Sequence, residues 1–304
     1  MRQRNFGPLY ALPQGLWLTV FFAAPLGIIV AYSFLAKGLY GGVVPQFSLA
    51  AWHTLGSPIL LSVALRTLIV SIVATAITIL IALPAGYSIA RSRNQPMRLF
   101  LIIVPFWTNF LVRVYTWISI LGAEGFLNDL LRAIGIINSP VQFLYNQTAV
   151  VIVLVYMYLP YAILPLFSTI DKFDFTLLEA ARDLGASKFD AIVRVLLPNI
   201  KGGIVTAVLF TFIPIFGAYA VPLLVGGKDS YMLGNIIADQ VTKTRNWPLA
   251  SSISMAVTLI AALGSLAFLW GSRRPSPALV VDSAEDQGLV GAVPASAESR
   301  VGAS

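Results

Sequence analysis

Glu179, Arg182, Asp183, Ser187 and Asp190, gathered around Gly185, are the densest polar set in a chain otherwise made of apolar runs. Their spacing suits contact between helices rather than covalent chemistry. Thr176 followed three residues later by Glu179 has the spacing of a capping box, and Ser187 followed by Asp190 repeats it ahead of Phe189, Ile192, Val193 and Leu196. Between the two, Gly185 can take the left-handed conformation that ends a helix. Leu177, Ala181 and Leu184 recur at helical intervals opposite Glu179, Arg182 and Asp183. The sequence therefore predicts two short amphipathic helices hinged at Gly185 within residues 176–204, after which Pro198, Gly202 and Gly203 turn the chain into the next apolar segment.

Other chemistry has few residues to work with. The chain has no cysteine and one histidine, His53, so thiolate sites and disulfides are excluded and no Ser/His/Asp set can be assembled. Gly226-Gly227-Lys228 lacks the upstream glycine of a phosphate-binding loop. We expect no catalytic residue, metal site or cofactor in this chain. With 58% hydrophobic and 11% charged residues, and a mean hydropathy of +0.83, the chain departs far from soluble domains, whose charged share is about 25%. A net charge of +7 could suggest nucleic acid, but the basic residues sit at the ends of apolar runs, as membrane topology requires.

The elements that must position the hinge are thus membrane spans, and the expected fold class is all-α, a polytopic membrane protein of six transmembrane helices. Leu16 to Leu35 is the first; it is longer than the apolar core of a cleavable signal peptide and no convincing cleavage site follows. Lys37 to Pro58 reads as an outer loop. Ile59 to Ala90, about 48 Å as a helix, overshoots a 30 Å hydrocarbon core and must tilt or project. A basic turn with Arg91, Arg93 and Arg98 leads to a third span, Leu99 to Leu121, and a polar outer loop, Gly122 to Tyr145. Thr148 to Ile170, broken by Pro160 and Pro165, is the fourth, and Ile204 to Val225, kinked by Pro214, Gly217 and Pro222, the fifth. Gly226 to Pro248 is an outer loop and Leu249 to Trp270 the sixth span. The organisation is then a cytoplasmic amino end (1–13), a membrane domain (14–271) with its polar loop at 171–203, and a disordered cytoplasmic tail (272–304). Twelve basic residues flank the ends and the 91–98 and 171–203 loops, against five in the three opposite loops, so the hinge and both termini face the cytoplasm.

Arg113 stands within the third span, where a cation costs about 2.5 to 3.5 kcal/mol and rarely faces lipid. It faces either a pathway or neighbouring carbonyls and carboxylates that hold it. Trp107, Asn109, Tyr115 and Trp117 accompany it, and such rings attract organic cations or anchor the span at an interface. Glu124, Asp129 and Asp239 fall in outer loops; carboxylates at an outer mouth attract cationic solutes, and solvated loop charges are the plainer reading.

Glu179-Ala180-Ala181, Gly185 six residues after the glutamate, and Leu197-Pro198 resemble the EAA loop of bacterial ABC importer permeases. PFWTNFLVRVYTW (105–117), YLPYAILPL (158–166) and PLLVGG (222–227) followed by Asn246-Trp247-Pro248 resemble the B-type permease of spermidine/putrescine importers, over about residues 60–270. The resemblance implies a type I importer fold in the bacterial inner membrane. It implies docking of an ATPase at Glu179, Ala180, Ala181, Arg182, Asp183, Gly185 and Ala186, with ATP and Mg bound by that ATPase and none in this chain. It also implies a second, C-type permease, two ATPase subunits, a periplasmic or lipid-anchored binding protein, and a polyamine cargo, with opine, thiamine and ferric-ion permeases in the same subfamily. A secondary transporter working without ATP is the reading of another class; it would want ionisable pairs deep in the spans and inverted repeats.

Overall fold

Apolar stretches of span length, capped by turn residues and prolines, fold here into helices almost throughout. The structure, a computed structural model, describes residues 7–272. Arg2 and Arg4, and the tail after Ser272, lie outside the described residues. The first span is one helical run, α1 (Gly7–Leu18) and α2 (Ala24–Ser33) joined by a π-helical turn at Thr19–Ala23. Beyond it the expected loop is partly built: β1 (Leu35–Lys37) and β2 (Val43–Phe47) form an antiparallel hairpin, followed by α3 (Ala50–Leu55). Ser57 then caps α4 (Pro58–Ala90), its hydroxyl accepting from the Leu60 amide, with Pro58 at the first helical position where its missing N–H costs nothing.

The third span is a correction to the sequence reading, which made it continuous. It is split into α5 (Gln95–Ile103) with a 3₁₀ turn at Val104–Trp107, and α6 (Phe110–Leu121). Thr108 is extended, and the Asn109 side chain accepts from the Leu111 amide at 2.8 Å, which restarts the helix. The segment after it, expected as an outer loop, is not a plain loop either. It carries α7 (Phe126–Ala133), and fully buried Asn128 gathers it by donating to Gly122 O (2.9 Å) and Val141 O (3.0 Å) and accepting from Val141 N (2.8 Å). Asn128→Leu strands those three backbone groups and should cost about 3 kcal/mol, lowering the melting temperature of the solubilised protein by about 6 to 10 °C.

Pro160 and Pro165 do not break α8 (Gln147–Ile170), the second correction. The helix is packed on α4 and on a later span, α12, and buried Val153, Leu154, Ile163 and Leu166 hold it straight through two missing N–H groups. The chain then makes α9 (Thr176–Asp183), α10 (Lys188–Ala191), a π-turn (Ile192–Leu196) and α11 (Leu197–Asn199). It bends by 74° into α12 (Lys201–Phe216), and the fifth span continues, after the expected kink at Gly217, as α13 (Ala220–Val225). The last outer segment holds α14 (Leu233–Thr242), whose first amide donates to Thr67 Oγ1 of α4 at 3.0 Å, and α15 (Trp247–Ser272) is the final span.

Among the described residues five helical stretches are long and apolar enough to cross a membrane alone, the third of them Phe110–Ala133, which runs through α6 and α7, and the bent pair Lys188–Asn199 and Lys201–Phe216 makes a sixth when it counts as one span. Helices α4, α8 and α12 form the centre, where Gly86 lets the α8 backbone come close, and α15 packs on α2 and α14. Large apolar side chains such as Leu61, Ile69 and Leu80 of α4 point outward, as lipid-facing positions must.

Candidate functional site

The hinge has the predicted geometry at its centre. Gly185 has φ +92°, its amide donates to Arg182 O (2.9 Å) and the Ala186 amide to Ala181 O (3.0 Å), the pair of bonds that closes a helix with a left-handed residue. Ser187 Oγ accepts from the Asp190 amide (3.1 Å) and donates to the Asp190 carboxylate (2.5 Å), so the expected N-cap forms, while the carboxylate meets the serine hydroxyl in place of the backbone amide that would complete a capping box. The first expected box does not form. Thr176 makes no cap; Asp174 Oδ1 accepts from both the Thr176 amide (3.0 Å) and hydroxyl (2.8 Å). Those two bonds, hydroxyl first, hold the Asp174 carboxyl below the usual carboxylate range. A depressed pKa means that the cap stabilises the folded state above the ordinary carboxylate pKa and fades as pH falls through the lowered one.

The face of α9 is also corrected. Leu177, Ala181 and Leu184 were expected to share one apolar face, yet Leu184 is 89% exposed and Leu177 exposed with it, while Ala181 is half-buried beside the buried Leu178. Phe175, Leu178 and Ala181 sit three apart and pack into the cluster around Ile163, Leu166 and Leu196. Leu177, Leu184 and Phe189, all exposed, are left on the outward side. Beside them Ala181, Leu184, Gly185 and Ala186 line a hollow of about 440 Å³ shared with Asp190 and Arg194, which pair at 3.5 Å.

The opposite side of α9 faces the end of α4. The Arg91 guanidinium lies 5.0 Å from the centre of the Phe175 ring, Tyr87 meets the same ring edge-on at 6.0 Å, and Gln95 bridges Ala90 O (2.9 Å) to Asp171 (2.8 Å). These contacts tie the loop to the ends of α4 and α8. Glu179 and Arg182 line a second hollow here, of about 390 Å³. Exposed Ala180 and Asp183 line neither hollow. The seven docking candidates thus share one loop, but Ala181, Gly185 and Ala186 line one hollow, Glu179 and Arg182 the other, and Ala180 and Asp183 neither.

The pathway candidates are more scattered. Arg113 is half-buried with its guanidinium 4.8 Å from the Phe106 ring centre, and its Nε and Nη1 have no hydrogen-bond partner. Trp117, one turn on, packs edge-on against Tyr156 at 5.4 Å, and Phe106 meets the same tyrosine at 5.5 Å. Tyr115 and Trp107 are exposed, and Asn109 serves as the cap of α6. Glu124 lies 3.8 Å from Arg132, and Asp239 lies 2.8 Å from Lys243, whose ammonium it holds above the usual lysine range by that bond. The structure thus joins Arg113 and Trp117 and leaves the two carboxylates in separate ion pairs. Sequence reasoning missed Phe106, Tyr156 and Tyr158 as company for Arg113, although the first stands in the quoted 105–117 stretch and the last opens the 158–166 one. An apolar groove of about 430 Å³ between α4 and α12, lined by Ile72, Leu80 and Phe212 among others, holds no charge to recognise an ion.

The family described as "Binding-protein-dependent transport system inner membrane component" matches residues 9–276. The spermidine/putrescine transport system permease protein PotB of Escherichia coli (strain K12) is 36% identical over 259 residues, covering 84% of this chain and 94% of that protein. Its Haemophilus influenzae namesake is 37% identical over 249 residues, covering 81% of this chain and 87% of its own. In fold, the chain is similar to a subunit in the crystal structure of a bacterial ABC transporter that imports the acidic polysaccharide alginate, with a TM-score of 0.73 at 17% identity over 89% of this chain and 96% of that one.

Proposed function

Since the chain belongs to the family of binding-protein-dependent transport system inner membrane components, and is a permease subunit of an ABC importer, we propose that its cargo is a polyamine such as spermidine or putrescine. The observation that carries this is the 36% identity to PotB over 84% of the chain. The binding protein releases the polyamine into a cleft between this subunit and a second permease. Ring faces around Phe106, Tyr156 and Trp117 suit an alkylammonium chain, by attraction to the π-clouds.

In this reading both termini and the hinge face the cytoplasm, where two ATPase subunits bind and hydrolyse ATP. The outward stripe of Leu177, Leu184 and Phe189 supports it, since apolar side chains left bare beside a turn of fixed angle fit a helix-in-groove contact. The remote Arg91–Phe175 and Gln95–Asp171 contacts carry the ATPase motion to α4 and α8. A second reading within the family has an anionic cargo such as an opine, and Arg113 favours it, because an unpartnered guanidinium in a span would attract a carboxylate.

Cells lacking their own polyamine uptake, given this chain together with an ATPase, a second permease and a binding protein of the same system, test the proposal. Saturable, ATP-dependent accumulation of labelled spermidine is expected. Opine uptake without spermidine uptake would select the second reading, and uphill uptake with the ATPase omitted would sink both.

A further inference from the structure

The hollow between α9 and the end of α4 has a composition that ATPase docking does not explain. Its walls carry Arg91, Arg182 and Lys188 against the single carboxylate of Glu179, with Tyr87 and Phe175 as an aromatic side. Among the described residues none of the three cations reaches ion-pair distance of a carboxylate. Three like charges converge on about 390 Å³ with one carboxylate, Glu179, to set against them. Such a cluster repels itself unless an anion enters.

Two observations say what kind of anion. Tyr87 lies in the last turn of the span ending at Ala90 and Arg91 is the residue that caps it, so the hollow sits against the end of a span, at the start of the basic turn that carries Arg93 and Arg98. Basic pockets against the cytoplasmic ends of spans recognise lipid phosphates. The hollow also lies on the inner side of α9, with buried Leu178 in its wall, whereas the bare stripe of Leu177 and Leu184 looks the other way. A subunit seated on that stripe leaves the hollow to a ligand from the membrane side.

We infer that this hollow binds a phosphate group, held by Arg91, Arg182 and Lys188, with Glu179 free to accept a bond from a hydroxyl or ammonium on the same molecule. Arginine and lysine together suit such an oxyanion, the first by its planar fork and the second as a point charge. A phosphate there ties the end of a span to both hinge helices and so stiffens the joint through which ATPase motion passes. The inference goes beyond the transport reading and is independent of the cargo.

The test uses the purified assembly of this chain with its second permease and ATPase, in wild-type form and as the Arg91→Gln/Lys188→Gln double variant. Phosphatidylglycerol and phosphatidylcholine retention is read by native mass spectrometry, and inorganic phosphate is titrated against the melting temperature. One phosphatidylglycerol retained by wild type and bound about thirty-fold more weakly by the double variant, roughly five-fold for each cation lost, supports the site with lipid as its source. Stabilisation of wild type alone by inorganic phosphate, without lipid retention, supports it with a free phosphate as the source. No difference between wild type and variant in either arm overturns it, as does retention that appears only after the ATPase is removed, which would mean that an ATPase carboxylate fills the hollow. Arg93→Gln controls for surface charge, and an Arg91→Lys/Lys188→Arg variant, which keeps both charges but gives up the fork stacked on Phe175, should bind more tightly than the double glutamine variant and more weakly than wild type. Lipid retention needs no turnover, so its failure is distinguishable from failure of the coupling reading.

Discussion

Gly185→Asp should leave the protein in the membrane at normal abundance and cut ATP-driven uptake by about a hundred-fold. The two halves of this expectation rest on different observations. A Cβ built at Gly185 meets nothing within 4 Å, so the fold has room for a side chain. Its φ of +92° strains any L-residue, by about 1 to 2 kcal/mol, and aspartate is among those that tolerate the region best. Insertion therefore survives. The new carboxylate, however, stands beside Leu184 on the outward hollow, where an ATPase groove would have to desolvate it without a partner. Burying an unpaired charge in an interface costs about 3 kcal/mol, which is the hundred-fold. Gly185→Asn, as tolerant of the left-handed region and uncharged, should keep uptake within about five-fold of wild type. Uptake assays with immunoblots of the membrane fraction check both variants, and normal transport by the aspartate variant would mean that the hinge is not the point of coupling.

Gly227→Ala should instead destroy the folded protein. Here the backbone is ordinary, but a Cβ would land on the carbonyl oxygen of Tyr145, and the neighbouring Gly226 is as confined, with Pro222 O at 2.5 Å and Ser230 Cβ at 2.8 Å of a built Cβ. Tyr145 cannot step aside, because its amide donates to Val225 O at 2.8 Å and its own φ is +62°. Overpacking against movable side chains costs about 1 to 3 kcal/mol, and against pinned backbone at least the upper figure. The expected result is a fall of 6 °C or more, at about 2 to 4 °C per kcal/mol, in the melting of detergent-solubilised protein, or its loss to aggregate. Gly264→Ala, in the last span with nothing within 4 Å, should be neutral or stabilising, since alanine is the better helix residue. Equal melting of the two variants would contradict the packing argument.

The sequence determined a good deal, and for identifiable reasons. Span positions follow from apolar length alone, because the bilayer demands about twenty such residues and basic residues mark where each run stops. The joint at Gly185 was legible because few residues other than glycine close a helix at φ +92°. Ser187 as the cap over Asp190 was legible because an N-cap is a local arrangement.

What tertiary structure alone decided concerns choices that local spacing leaves equal. Helix α9 has apolar residues on two sides, Leu177 with Leu184 and Leu178 with Ala181, and only packing against α8 selected the second for burial. Asp174 rather than Thr176 became the cap because the chain leaving α8 turns through Phe173 and Phe175 into that core, which places the carboxylate over the first turn. Arg91 lies some ninety residues before Arg182 and Lys188, and no spacing rule joins them. They meet because α4 and α8 pack side by side and deliver their ends to one place, a long-range contact that hydrophobic burial sets and the order of residues does not display.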